Sequence, residues 1–243
     1  MKIIFNADDF GYSKGINLGI IEAYENGLVR SATIMANMPC FDHAVSVWKA
    51  SSGLKVGVHL VLTTGKSLGS GYKTITDEAG NFLNHEDLRQ RPIDPAEVEK
   101  EFTLQVEKVL AAGIPITHID GHHHIQNFCG ITDVFINTAK KYNVAVRAFD
   151  KSLPSVDCAG IAAPAFAGTF FGDNVTLSHL EHILSSCTET TEIMCHPAFV
   201  DSFLYDSSSY NITRAKELEL LTSPAAKKLI EKYGHTLSSF SDI

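Results

Sequence analysis

The chain has 243 residues, 44% apolar and 20% charged, long enough to bury a core without disulfides or a structural metal. Twenty basic against 28 acidic residues leave a net charge of −8, which removes any chain-wide attraction to nucleic acid or to an anionic membrane. Cys40, Cys129, Cys158, Cys187 and Cys195 are odd in number, scattered and without CxxC spacing, so neither a disulfide framework nor a thiolate zinc site is expected. The opening MKIIFNADDFG puts two aspartates where a signal peptide needs apolar residues, and no apolar run approaches the ~20 residues of a membrane span. The expectation is a cytoplasmic protein with neither nucleic-acid nor membrane partners.

The elements read as strands alternating with helices. KIIFN at 2–6 is a short apolar run ending in polar groups, hence a buried strand. Ser13 can cap a helix carrying Ile16, Ile20 and Tyr24, stopped near Gly27. Strands are expected at 30–37 and 54–62. The clearest helix starts at Asp94-Pro95-Ala96-Glu97, with Asp94 as N-cap and Val98, Phe102, Val106 and Val109 as its apolar stripe. Gly113 and Pro115 end it. A strand at 115–120, a helix at 131–142, a strand at 144–148, a helix at 177–186 and a strand at 191–195 follow, and a last helix runs from Ser223-Pro224 to Gly234. Repeated β-then-α units predict an α/β fold with parallel strands, a single domain over 1–243. Two irregular stretches, 64–93 and 150–175, are long enough to carry function.

Polar clusters follow directly on four apolar strands: Asp8-Asp9; His59; the run His118-x-Asp120-x-His122-His123-His124; and His196. In a (β/α) barrel the carboxyl ends of the strands converge on one face, where chemistry is done. Adjacent carboxylates can take two roles, one binding a metal and the other handling protons. Period-2 spacing puts His118, Asp120, His122 and His124 on one face if the backbone is extended. Crowding four such groups is costly unless a cation relieves it. One carboxylate with two imidazoles makes a three-ligand site with open positions. No nucleophile elbow is expected, since GKSLG at 65–69 matches G-x-S-x-G only within an irregular stretch and not between a strand and a helix, and no Walker A or GxGxxG motif occurs, which leaves metal-assisted hydrolysis with water as nucleophile. Asp120 is a candidate to orient a ligand imidazole, and Arg147 to pair with an acid.

NADDFG at 6–11, GVHL around His59, THIDGHHH at 117–124 and MCHPAF at 194–199 together resemble the YdjC-like carbohydrate deacetylases, among them chitooligosaccharide deacetylases, along the whole chain. The resemblance implies a TIM-like, distorted (β/α) barrel that hydrolyses an N-acetyl group from a small amino sugar and releases acetate. It implies Asp9, His59 and His122 as metal ligands, with Mg²⁺ the metal commonly assigned. Zn²⁺ serves related deacetylases whose histidine spacing is tighter, so the HxxxH pair His118 and His122 is a rival ligand pair. Asp8 would be the general base and His196 the general acid. His118, Asp120, His124, Arg147 and Phe171 are supporting or substrate-contacting candidates. The 64–93 loop and Phe170-Phe171-Gly172 would shape a sugar pocket. A cytoplasmic location favours a short imported sugar, such as plain or phosphorylated N-acetylated chitobiose, and Lys66, Lys73 and Arg91 are candidates to meet a phosphate. The competing readings are another metal-dependent amidohydrolase, a phosphoesterase, and a non-catalytic sugar- or metal-binding protein. A homodimer is the base-rate expectation.

Overall fold

The computed structural model describes residues 1–51, 53–150 and 160–243. Among the described residues eight strands, all parallel, make one curled sheet: β1 (Lys2–Phe10), β2 (Ser31–Ile34), β3 (Lys55–Leu60), β4 (Ile116–Gly121), β5 (Ala145–Val146), β6 (Ala165–Ala167), β7 (Thr191–Cys195) and β8 (Thr236–Leu237). The spatial order β5-β4-β3-β2-β1-β7-β6 follows the chain around a ring. Among the described residues β5 and β6 do not pair, although the Val146 N–H donates to Ala162 O at 2.9 Å nearby. The architecture is therefore a distorted (β/α) barrel. β8 pairs with Lys2 and Ile3 of β1, where the β1–β2 ladder has not yet begun, since that ladder starts at Asn6.

The helices cover the outside: α1 (Lys14–Glu25), α2 (Phe41–Ala50), α3 (His85–Gln90), α4 (Pro95–Ala111), α5 (Thr132–Tyr142), α6 (Leu177–Ser186), α7 (Ser202–Ser207), α8 (Ile212–Thr222) and α9 (Pro224–Lys232). Ser13 caps α1 through the Ile16 N–H, and Asp94 caps α4 through the Ala96 N–H, as their sequences predict. The α4 stripe Val98, Phe102, Val106 and Val109 is fully buried. None of the described helices is long and apolar enough to cross a membrane. The described cysteines, Cys40, Cys129, Cys187 and Cys195, are free thiols, and Cys158 lies outside the described residues.

Two-residue alternation splits the strands between two environments. Ile3, Phe5 and Ala7 of β1 join the apolar layer under the helices. Ile4, Asn6 and Asp8, the intervening residues, face the barrel interior. Its closed end is apolar: Ile4 packs with Ala145 and Phe240, and Phe240 lies flat on the His118 ring at 3.7 Å. Above that plug the interior is polar, with Asn6, Thr33, Asp120, Arg147 and Glu192 all buried.

Several elements depart from the sequence reading. The strands expected at 30–37 and 54–62 are shorter, at Ser31–Ile34 and Lys55–Leu60. β1 runs past Asn6 to Phe10. α2, α3, α7, α8, β6 and β8 depart from that reading, α3 lying inside the stretch 64–93 expected to be irregular, and α8 has only a weak apolar pattern. Of the irregular stretch 150–175, residues 151–159 lie outside the described residues, and the rest contains β6.

Candidate active site

β1 carries the central pair. Its pairing with β2 shifts register between Ala7 and Phe10, and Asp9 adopts φ +69°. A regular strand would send successive side chains to opposite faces. The bulge instead turns both Asp8 and Asp9 into one cavity of about 570 Å³ at the carboxyl ends of the strands, also lined by His59, His122, His124, Phe171, His196, Tyr210 and Arg214.

Asp9 Oδ1, His59 Nε2 and His122 Nδ1 form a near-equilateral triangle. The sides are 3.3 Å from Asp9 to His59, 3.1 Å from Asp9 to His122 and 3.3 Å between the imidazoles. Asp9 Oδ1 is buried and meets only these two ring nitrogens, neither in good hydrogen-bond geometry. With bonds of about 2.1 Å, cis donors stand about 3.0 Å apart in an octahedron and about 3.4 Å apart in a tetrahedron. The triangle falls between those limits, so two nitrogens and one oxygen fit a divalent cation and leave other positions free. Asp120 Oδ1 accepts from His59 Nδ1 at 2.7 Å, which fixes Nε2 toward Asp9. Burial opposes a charge on His59, but Asp120 and the other carboxylates raise it to about 10. Burial by itself would also raise Asp9; Arg214, with Nη2 on Asp9 Oδ2 at 2.7 Å, and the two imidazoles hold it well below the usual range.

Asp8 sits on the other side of the bulge. Arg147 clamps it with two hydrogen bonds of 2.7 Å, Nη1 to Oδ2 and Nη2 to Oδ1, and Asn6 Nδ2 adds a bond of 2.9 Å to Oδ1. Burial pushes this carboxyl up, yet Arg147 outweighs it and keeps the group ionised far below the usual range. Arg147 also donates from Nε to Glu192 Oε1 at 2.8 Å and approaches Asp120 Oδ2 at 3.0 Å. Burial pushes Glu192 up to about 7 against the pull of Arg147. A second carboxylate-rich group, Asp8, His59 and Asp120, already has Arg147 as its counter-ion.

His196 follows β7, with Nε2 3.9 Å from Asp8 Oδ2 and Nδ1 3.7 Å from Glu217 Oε1. Glu217, on α8, is buried and accepts from the His196 backbone N–H and from the Tyr210 hydroxyl. Phe171 stacks on Tyr210 at 4.0 Å and leaves 43% of its surface exposed at the cavity wall.

The structure brings Asp8, Asp9, His59, His122, His124, His196 and Phe171 to one cavity and sets Asp120 and Arg147 behind it. It separates His118. β4 ends at Gly121, and the next six residues form a helical turn with His123 and His124 at positive φ, so the extended spacing does not continue past the strand. His118 instead points down the barrel, with Nε2 on Asn6 Oδ1 at 3.1 Å, and burial lowers it to about 3. It does not pair with His122. Lys66, Lys73 and Arg91 do not line the cavity, and Phe170 is core. Sequence reasoning missed Arg214, Glu217 and Tyr210. Arg214 and Glu217 are brought in by α8 and Tyr210 by the turn before it, whose hint was the i,i+3 pairing of Arg214 with Glu217. Glu192 carried a clearer signal, a lone acid within the apolar strand TEIMC.

The YdjC-like protein family model matches residues 2–232. A carbohydrate deacetylase of Brevibacillus brevis is 38% identical over 248 residues, and one of Listeria monocytogenes is 40% identical over 250 residues, each match spanning the whole of both chains. A solved structure from Enterococcus faecalis V583, whose name proposes cellobiose-phosphate cleavage, is 30% identical, with a TM-score of 0.93 over 99% of this chain and 98% of that one. A family 4 carbohydrate esterase from Streptomyces lividans, in complex with acetate, is 13% identical with a TM-score of 0.57 over 98% of this chain and 91% of its own, a likeness of fold. With nearly its full length matched, the chain belongs to the YdjC-like family.

Proposed function

We propose that this protein is a metal-dependent hydrolase that removes the N-acetyl group of a small amino sugar and releases acetate. The observation that carries the reading is one cavity in which the Asp9–His59–His122 triangle lies beside two proton-handling groups, Asp8 and His196, facing each other at 3.9 Å. The naming of full-length relatives as carbohydrate deacetylases supports it. Asp9, His59 and His122 would hold the cation, Mg²⁺ or Zn²⁺, which when bound polarises the acetamide carbonyl and makes water more acidic.

The chain's own groups then divide the proton work. Asp8 Oδ1 is filled by Arg147 and Asn6, so Oδ2 is the oxygen left to act as base. Clamped as an anion, Asp8 receives the water proton as charge develops and gives it up readily afterwards. His196 Nε2 supplies the proton that the departing amine needs. Glu217 holds the backbone of His196 and faces its other nitrogen, which keeps the ring directed at the cavity. Phe171, supported from behind by Tyr210, offers a ring face to the apolar face of a pyranose. The cavity volume suits a short sugar, such as plain or phosphorylated N-acetylated chitobiose. A two-metal phosphoesterase is disfavoured, because the other cluster among the described residues that could hold an ion, Asp8, His59 and Asp120, is bound by Arg147. A binding protein would need neither the base nor the acid.

Metal-loaded enzyme incubated with N,N′-diacetylchitobiose and its 6-phosphate, followed by mass spectrometry, tests the reading. Loss of one acetyl group with stoichiometric acetate is expected. Release of phosphate without acetate, or binding without turnover for every metal tried, would contradict it.

A further inference from the structure

Asp9 has two oxygens with opposite fates. Oδ1 is buried and meets only two imidazole nitrogens, whereas Oδ2 is taken by Arg214 Nη2 at 2.7 Å. Arg214 is itself built in. It is 5% exposed, its Nε donates to Tyr210 O at 2.7 Å, its guanidinium carbon lies 5.3 Å from the Tyr210 ring centre, and its carbonyl accepts from the Ala198 N–H at 3.2 Å. The side chain cannot swing away without giving up its contacts with Tyr210 and Asp9. A guanidinium carries donors only and stays charged, so its bond to Oδ2 persists at any working pH.

We propose that Arg214 is a positioning residue that confines Asp9 to a single metal-facing oxygen. The inference rests on the reading that Asp9, His59 and His122 hold the cation. A carboxylate free to turn both oxygens inward would add a fourth protein bond and remove a position needed by water and substrate. The same guanidinium also draws negative charge from the carboxylate and repels the incoming cation. Arg214 thus lowers affinity for the metal while keeping the site open. A residue that merely supported the fold would do the opposite when removed, loosening the metal.

The test compares chelator-stripped wild type, Arg214→Gln and Arg214→Lys. Zn²⁺ affinity is read by calorimetry, ligand number at zinc by X-ray absorption, and kcat and KM on the acetylated disaccharide. Arg214→Gln should bind zinc about 10-fold more tightly, gain one oxygen ligand and lose kcat by about 10- to 100-fold with little change in KM. Arg214→Lys, which keeps a cation and a donor, should bind zinc within about 3-fold of wild type and retain more of kcat. Equal or weaker zinc binding by Arg214→Gln, or an unchanged ligand number, would overturn the proposal. Should Arg214→Gln fail to fold, loss of zinc binding by folded Arg214→Lys would overturn it equally. Wild type that binds no metal would instead defeat the metal-site reading, and wild type that binds metal without releasing acetate would defeat the deacetylase reading alone.

Discussion

Asp8 and Asp9 are neighbours in the chain, yet the regions they enter differ in one decisive respect. Around Asp8 every strong acceptor direction but one is filled, by Arg147 and Asn6, and the network continues through Glu192 and Asp120 into the barrel interior. Around Asp9 one oxygen is tied to Arg214 and the other meets only imidazole nitrogens. On the proposed reading, the clamped carboxylate is the fixed anion that passes a proton through its one open direction, and the half-filled one is the ligand for a cation. The bulge at Asp9 separates these two roles across a single peptide bond.

The sharpest way to break the contrast is at Asp8. We expect Asp8→Asn to lower kcat by about 10³- to 10⁴-fold while leaving metal content at the wild-type level, because the amide cannot take a proton. Kinetics alongside metal analysis check this, and full activity would remove Asp8 from the base role. Next, His196→Ala should cost about 10²-fold in kcat with metal retained. Substrates bearing a better leaving group should recover most of that loss. A smaller effect is expected at the wall of the cavity: Phe171→Ala should raise KM about 5-fold with kcat nearly unchanged, as measured by initial rates across sugar concentrations.

The smallest effect concerns stability in metal-free protein. The His59 imidazole is raised from 6.5 to about 10, so its proton favours the folded state fully below pH 6.5, and that contribution is lost as pH rises through about 10. Glu192, raised from 4.5 to about 7, acts in the same direction, favouring the fold below pH 4.5 and losing that contribution as pH climbs through about 7. The melting temperature of chelator-stripped protein should therefore fall by roughly 5 °C or more between neutral pH and about pH 10. A melting temperature that rises over that range would contradict these assignments.

Much of this site could be read from the sequence, because each ligand candidate stands at the end of an apolar strand and parallel strands share one functional end. KIIFN before Asp8-Asp9, LKVGVHL around His59 and EIMC before His196 are local patterns that survive folding. The His118 reading failed because strand periodicity was extended beyond Gly121, where the backbone turns into a helix; Gly57, whose added Cβ would lie 2.4 Å from the His118 ring, instead makes room for that side chain inside the barrel. Arg214, Glu217 and Tyr210 were invisible for a different reason. They lie about 200 residues beyond Asp9, on or just before a helix with a weak apolar stripe, and the packing of α8 against α1 and α9 brings them home. The phosphate reading of Lys66, Lys73 and Arg91 relied on charge in a long loop, but that loop is pinned away from the cavity by Glu97 and Glu101 of α4, which accept from the backbone N–H groups of Leu68, Gly69, Lys73 and Thr74.

The central claim is that the free oxygen of Asp9 and two imidazoles from β3 and the β4 end meet on one cation. Titrating chelator-stripped wild type and Asp9→Asn with Mg²⁺ and Zn²⁺ by calorimetry, alongside elemental analysis, tests it most directly. One metal per wild-type chain, and affinity weakened at least about 100-fold in Asp9→Asn, is the expected result. Equal stoichiometry and affinity in both proteins would place the cation elsewhere.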